Sequence, residues 1–160
     1  MLKPKVQVKY EPITRRLHMI KRNGDSLQGP LSEMGEIILS SVEENFQQQG
    51  RFATAGSWEG GSSRWKDLAP ATKEARKKKG KWPGMILQQS QGGLASSFSY
   101  QVTGDNLVVG SNKKYAAIHQ FGGQAGRGRK VKIPARPFLV VQDDDIEDMM
   151  DVLGKHLMKG

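Results

Sequence analysis

A chain of 160 residues with 36% hydrophobic content and a formal net charge of +9 fits one domain with a modest core. The absence of cysteine excludes a disulfide framework and a thiolate metal site, and it agrees with assembly in a reducing cytoplasm. No run approaches the roughly 20 apolar residues of a spanning helix. Met1-Leu2-Lys3-Pro4-Lys5 also lacks the apolar stretch of a secretory signal, so no membrane role is expected.

In chain order, Val6, Val8 and Tyr10 alternate with polar residues, the period-2 pattern of a short strand. Ile13, Leu17 and Ile20 recur at helical spacing until Asn23-Gly24, a stop signal. Pro30 is expected at the first position of a long helix, Leu31 to Gln49, where its missing N–H costs nothing. Glu33 and Glu36 then complement the positive end of the dipole. Leu31, Met34, Ile38, Val42 and Phe46 form one apolar stripe, read as core packing, and Gly50 ends it.

Residues 51–84 read as a long basic loop insertion. Gly56, Gly60, Gly61, Ser62 and Ser63 make a flexible stretch, and Pro70 opens a brief helix through Arg76. Lys77, Lys78, Lys79 and Lys81 follow as a run that no core accepts. Farther on, Phe98, Tyr100 and Val102 alternate with polar residues, Gly104-Asp105-Asn106 turns, and Leu107-Val108-Val109 runs back as a hairpin. Tyr115 to Phe121 gives two helical turns closed by Gly122-Gly123.

Residues 122–132 form a Gly/Arg-rich loop bearing Arg127, Arg129, Lys130 and Lys132. Val131 to Val141 is extended around Pro134 and Pro137, which hold Arg136 on a stiff arm. A charge-assisted contact is expected of Arg136, within the subunit or to a neighbour. The last helix begins at Asp143, Asp144 and Asp145 and carries the stripe Ile146, Met149, Met150, Leu153 and Leu157. The whole, residues 1–160, is a single α+β domain. It is an antiparallel sheet built from the hairpin and flanking strands, packed against the long helix and the C-terminal helix, with long loops.

Nothing in this order carries catalysis. His18, His119 and His156 belong to no ligand pattern, and His119 reads as a hydrogen-bonded packing residue. Neither a nucleophile elbow nor a phosphate-binding loop is present. The acids Asp143, Asp144, Asp145 and Asp148 lack calcium-loop spacing. As complements to a helix N-terminus, the first three should each tolerate Asn. No catalytic residue, cofactor or metal site is therefore expected, and the chain reads as no enzyme.

What remains is charge asymmetry. Lys77, Lys78, Lys79, Lys81, Arg127, Arg129, Lys130, Lys132 and Arg136 are candidates to face a partner or DNA. Asp143, Asp144 and Asp145 are the candidate acidic interface. Separated surfaces of opposite sign suit head-to-tail contact between copies, which closes into a ring when the rotation allows. The alternative is a basic nucleic-acid-binding module, which should interleave stacking aromatics with Arg and Lys. Phe98 and Tyr100 are flanked by Ser and Gln instead.

Tyr115-Ala-Ala-Ile-His-Gln-Phe-Gly-Gly123 and Ile133-Pro-Ala-Arg-Pro-Phe-Leu139, separated by a variable loop, resemble motifs of the phage virion morphogenesis family of tail-completion proteins. Trp65-x-x-Leu68-x-Pro70-x-Thr72, Phe98-Ser-Tyr100 with Val108-Val109-Gly110, and Asp145-Ile-Glu147 support the likeness, which covers roughly residues 30 to 158. The resemblance implies a non-catalytic subunit of a tailed bacteriophage, located at the neck or the top of the tail of the virion. It implies head-tail joining as part of a homo-oligomeric ring, often a hexamer. Phage connector and tail proteins are then its neighbours, and DNA passes through its channel.

Overall fold

The longest element, α2 (Gln28–Gln48), organises the chain, because it carries most of the face on which the rest is built. In the computed structural model, residues 11–51, 64–90 and 92–159 are described. The expected strand at Val6–Tyr10 and the flexible stretch at residues 56–63 lie outside the described residues. α2 opens two residues before Pro30, which is its third residue and is buried. An N–H is still unpaired at that point of a helix, so proline is tolerated there too. Glu33 and Glu36 consequently fall beyond the first turn, which holds no acid. Gln49, with φ 56°, ends the helix in the left-handed region, and the Gly50 amide donates to the Asn45 carbonyl at 2.8 Å.

Of the expected stripe, Ile38, Val42 and Phe46 are buried, whereas Leu31 and Met34 stay half-buried. Ser41 and Asn45 share the buried face with them. Ahead of α2, α1 (Glu11–Gly24) matches the expected short helix and ends on α5 (Asp143–Met158). Asn23 Nδ2 donates to the Leu157 and Lys159 carbonyls at 3.2 and 2.7 Å, and the Asn23 carbonyl meets the His156 ring at 2.8 Å. α3 (Pro70–Lys78) starts at Pro70 as expected but runs through Lys78, so Lys77 and Lys78 belong to a helix rather than a loop.

β1 (Phe98–Thr103) and β2 (Asn106–Ser111) form the expected hairpin, with Tyr100 opposite Val109 and Val102 opposite Leu107. The turn is tighter than expected. Asn106 pairs with Thr103, and only Gly104, with φ 58°, and Asp105 turn the chain. Among the described residues no flanking strand joins this sheet. After α4 (Ala116–Phe121), β3 (Gly123–Ala125) and β4 (Val131–Ile133) form a second two-stranded sheet. The Gly/Arg-rich loop is thus a hairpin tipped by a 3₁₀ turn at Arg127–Arg129. Three-residue strands are too short to show a period of two in sequence.

The core is aromatic. Phe46 stacks on Phe138 at 5.4 Å and meets Trp65 edge-on at 5.3 Å, while Phe98 meets Phe138 edge-on at 5.2 Å. Ile38, Val42, Ile86 and Leu94 complete it. α5 packs along α2 and α1, but only Met149 of its stripe lies against this cluster. Ile146 and Met150 are 42% and 64% exposed, contrary to the expected core face.

Candidate assembly interface

The two sequence motifs on either side of the Gly/Arg hairpin meet in space. The strap of residues 134–142 has no regular ladder, so its backbone groups need side-chain partners. Gln120 Oε1 accepts from the Phe138 and Leu139 amides at 3.0 and 3.1 Å, and its Nε2 donates to the Leu139 carbonyl at 3.0 Å. Asn45 Nδ2 donates to the Phe138 carbonyl at 3.0 Å and Trp65 Nε1 to the Pro137 carbonyl at 2.8 Å. The Arg136 amide donates to the His119 carbonyl at 2.7 Å. Gly122, with φ 75°, lets the strap pass close. A Cβ there would lie 2.8 Å from the Ala135 nitrogen.

Arg136 of the strap and Arg76 of α3 are both buried. Arg136, 5% exposed, turns inward, donating from Nε to the Lys66 carbonyl at 3.0 Å and from Nη2 to the Asp67 carbonyl at 3.3 Å. Arg76, missed in the sequence as a mere helix end, donates to the Met85 carbonyl at 3.0 Å. The Gln89 carboxamide, with its oxygen toward Arg76, accepts from Nη2 at 2.9 Å and Nε at 3.2 Å. Burial pushes both arginine pKa values down, and for Arg136 the charge of Arg76 adds to that. Each guanidinium clamps irregular backbone through charge-assisted hydrogen bonds. Arg136 is accordingly an internal contact and not a surface facing a partner or DNA.

The remaining basic candidates are exposed. Lys77 and Lys78 lie on the last turn of α3, Lys79 caps it, and Lys81 donates to the Gln89 carbonyl at 3.2 Å. Arg127, Arg129, Lys130 and Lys132 crown the β3–β4 hairpin. The two groups sit on separate elements.

The acidic candidates split. Asp144 is exposed and Asp143 half-buried, but Asp145 is 6% exposed and works inside the fold. Its carboxylate accepts from Ser41 Oγ at 2.6 Å and from the Gln142 amide at 2.8 Å, closing a capping box. Arg51, read in the sequence as the start of the loop, stands 3.8 Å from Asp145 and also donates to Glu44 and Ser41. Asp145 is therefore no interface residue, and its tolerance of Asn is not expected from this geometry. A helix-dipole reading of the three acids could not see Ser41 of α2 and Arg51, just past its end, converging on Asp145.

Between β2, α4 and the strap lies an open groove of about 720 Å³. Val109, Ala116, Ala117, Phe121, Pro137 and Val141 line it, and Phe121 is 79% exposed. On α4's other face, His119 lacks the hydrogen bond expected of it. Its Nδ1 is buried without a partner among the described residues, and the ring meets Tyr115 edge-on at 6.0 Å. Desolvation, then the Arg136 charge, pushes its pKa down. Phe98 and Tyr100 face inward on β1, so they offer no stacking platform to nucleic acid.

Among the described residues no group of three or more His, Asp or Glu is placed to hold a metal ion, and no helix is long and apolar enough to cross a membrane. The conspicuous features are side-chain clamps within the chain and charged or apolar surfaces outside it. The chain belongs to the phage virion morphogenesis family, whose model matches residues 8–158. It is 34% identical to the putative capsid assembly protein G of Escherichia phage Mu over 125 residues, 78% of this chain and 75% of that one. It is 52% identical to the Mu-like prophage FluMu G protein 2 of Haemophilus influenzae over 58 residues, 36% of this chain and 42% of that relative. The FluMu G protein 1 is 32% identical over 95 residues, 59% of this chain and 60% of that relative. The matches thus span less than two thirds of both FluMu relatives. No solved structure matches the chain significantly. Membership makes this a protein of bacteriophage particle assembly.

Proposed function

We propose that the protein is a non-enzymatic structural subunit of a tailed-phage neck, acting in tail completion and head-tail joining as one copy of a ring, with a hexamer as the expected closure. The observation that supports this reading most is charge segregation. Between Asn106 and Gln142 there are seven basic residues and no acid, while α5 carries six acids and one lysine. Surfaces of opposite sign on one subunit draw the next copy head to tail. The adjoining partners are then the phage connector and tail proteins. The exposed lysines Lys77, Lys78, Lys79 and Lys81 are suited to the polyanion that crosses a neck channel.

Deleting the gene should leave lysates with separate heads and tails in electron micrographs, and supplying it in trans should restore joined particles. A virion reconstruction should show a ring of copies between head and tail. Normal particles from the deletion, or copies located in the capsid shell, would overturn the proposal. Neutralising the α3 lysines should lower DNA retention in particles while leaving the melting temperature nearly unchanged.

A further inference from the structure

We infer that the groove between β2, α4 and the strap is the seat for the acid-flanked apolar ridge of α5 from a second copy of this chain. The inference rests on the ring reading and names its contact. The groove's floor is partly Ala116 and Ala117, small residues that leave room for large incoming side chains, and Phe121 stands at its lip. Apolar surface of this kind, left open beside the core residues Ile38 and Phe138, gains by being covered.

The ridge has the complementary form. Ile146 and Met150 are separated by one helical turn, so they share a face, and both are exposed. Asp144, Glu147, Asp148 and Asp151 are exposed on the same helix. The segments that adjoin α4 in the chain are basic: Lys113 and Lys114 lead into it, and the Arg127–Lys132 hairpin follows it. Opposite charge on the segments flanking two apolar surfaces gives orientation and rate as well as burial.

α1 is a poorer occupant although its Leu17 is exposed. Arg15, Arg16, Lys21 and Arg22 would bring like charge toward the basic segments on either side of α4. Nor does a subunit's own α5 fill its groove. Asp145 and His156 tie that helix to α2 and α1, and neither Ile146 nor Met150 lines the groove. Because the contact joins two different patches, it is heterologous and repeats until a ring closes.

The test uses the full chain in sedimentation velocity and native mass spectrometry. Ala117→Trp blocks the groove and Met150→Asp spoils the ridge. Both positions are exposed, so both variants should melt like the parent. Each should weaken self-association by roughly tenfold or more, the scale on which losing a central anchor acts. Mixing the two variants pairs one intact ridge with one intact groove, and a dimer should form with no larger species. Unchanged assembly of both variants, or failure of the mixture to dimerise, would overturn this contact while leaving the ring reading intact. A parent chain that stays monomeric at every soluble concentration would sink both. If the variants abolish joined particles but not self-association, the groove belongs to a different virion protein and the inference is wrong.

Discussion

The α2–α5 junction and the groove beside α4 border the same aromatic core, yet they are finished in opposite ways. At the junction, Ser41, Asn45, Arg51, Gln142 and Asp145 are all buried, and hydrogen bonds link them across four segments of chain. Buried polar groups are costly unless paired, so the bonded groups of these residues constrain one another, while Gln142 Nε2 has no partner among the described residues. At the groove, apolar side chains line an open surface and make no such demands on one another. A surface of that kind can be reshaped for a partner without undoing the fold. The junction cannot.

The largest effect should come from breaking the junction. Asp145→Ala leaves Ser41 and the Gln142 amide short of an acceptor and removes a counter-charge from Arg51, and it should cost about 3–5 kcal/mol in chemical denaturation. Asp143→Asn and Asp144→Asn, on the same first turn, should each cost only about 0.3–1 kcal/mol from the helix dipole. Equal losses at all three positions would mean that the junction contributes nothing beyond that dipole.

Next in size is Gly35, where α2 meets the hairpin. A Cβ there would come within 2.6 Å of the Tyr100 ring. Gly35→Ala should therefore destabilise by about 1–3 kcal/mol despite alanine's better helix propensity. Trimming the ring with Tyr100→Leu in the same chain should recover part of the loss. A stabilised single variant would show that the hairpin shifts without cost.

His119 offers a pH test on the side of α4 away from the groove. Its folded pKa is lowered, so the unfolded chain binds the proton more readily in the window from the ordinary histidine value of 6.5 down to the folded one. Its contribution to stability is complete above 6.5 and is lost as the pH falls through that window. Melting temperatures of the parent should drop over this range more steeply than those of His119→Gln. Parallel curves would remove His119 from the account.

The smallest effect is expected at the groove's lip. Phe121→Ser should change stability by less than about 0.5 kcal/mol, because the ring is already in water. A loss comparable to that of Asp145→Ala would erase the contrast between the two regions.

Local pattern alone was enough for the helices, the β1–β2 hairpin, the α+β class and the family. Period-3.6 stripes, the Gly104 turn and the Gly122-Gly123 stop are written in neighbouring residues, and the two motifs are contiguous in the chain. Local pattern also separated the basic middle of the chain from the acidic last helix. Contacts between distant residues had to settle the rest. Asp145 read as a surface charge because its partner Ser41 lies 104 residues away, and the contact of Arg136 stayed open between subunit and neighbour because Lys66 lies 70 residues away. Ile146 and Met150 read as core because a stripe does not reveal how much of it a neighbour covers. Periodicity reports which side chains share a face. Burial depends on what the rest of the chain brings to that face, and so does the choice between a charge turned into the fold and one left for a partner.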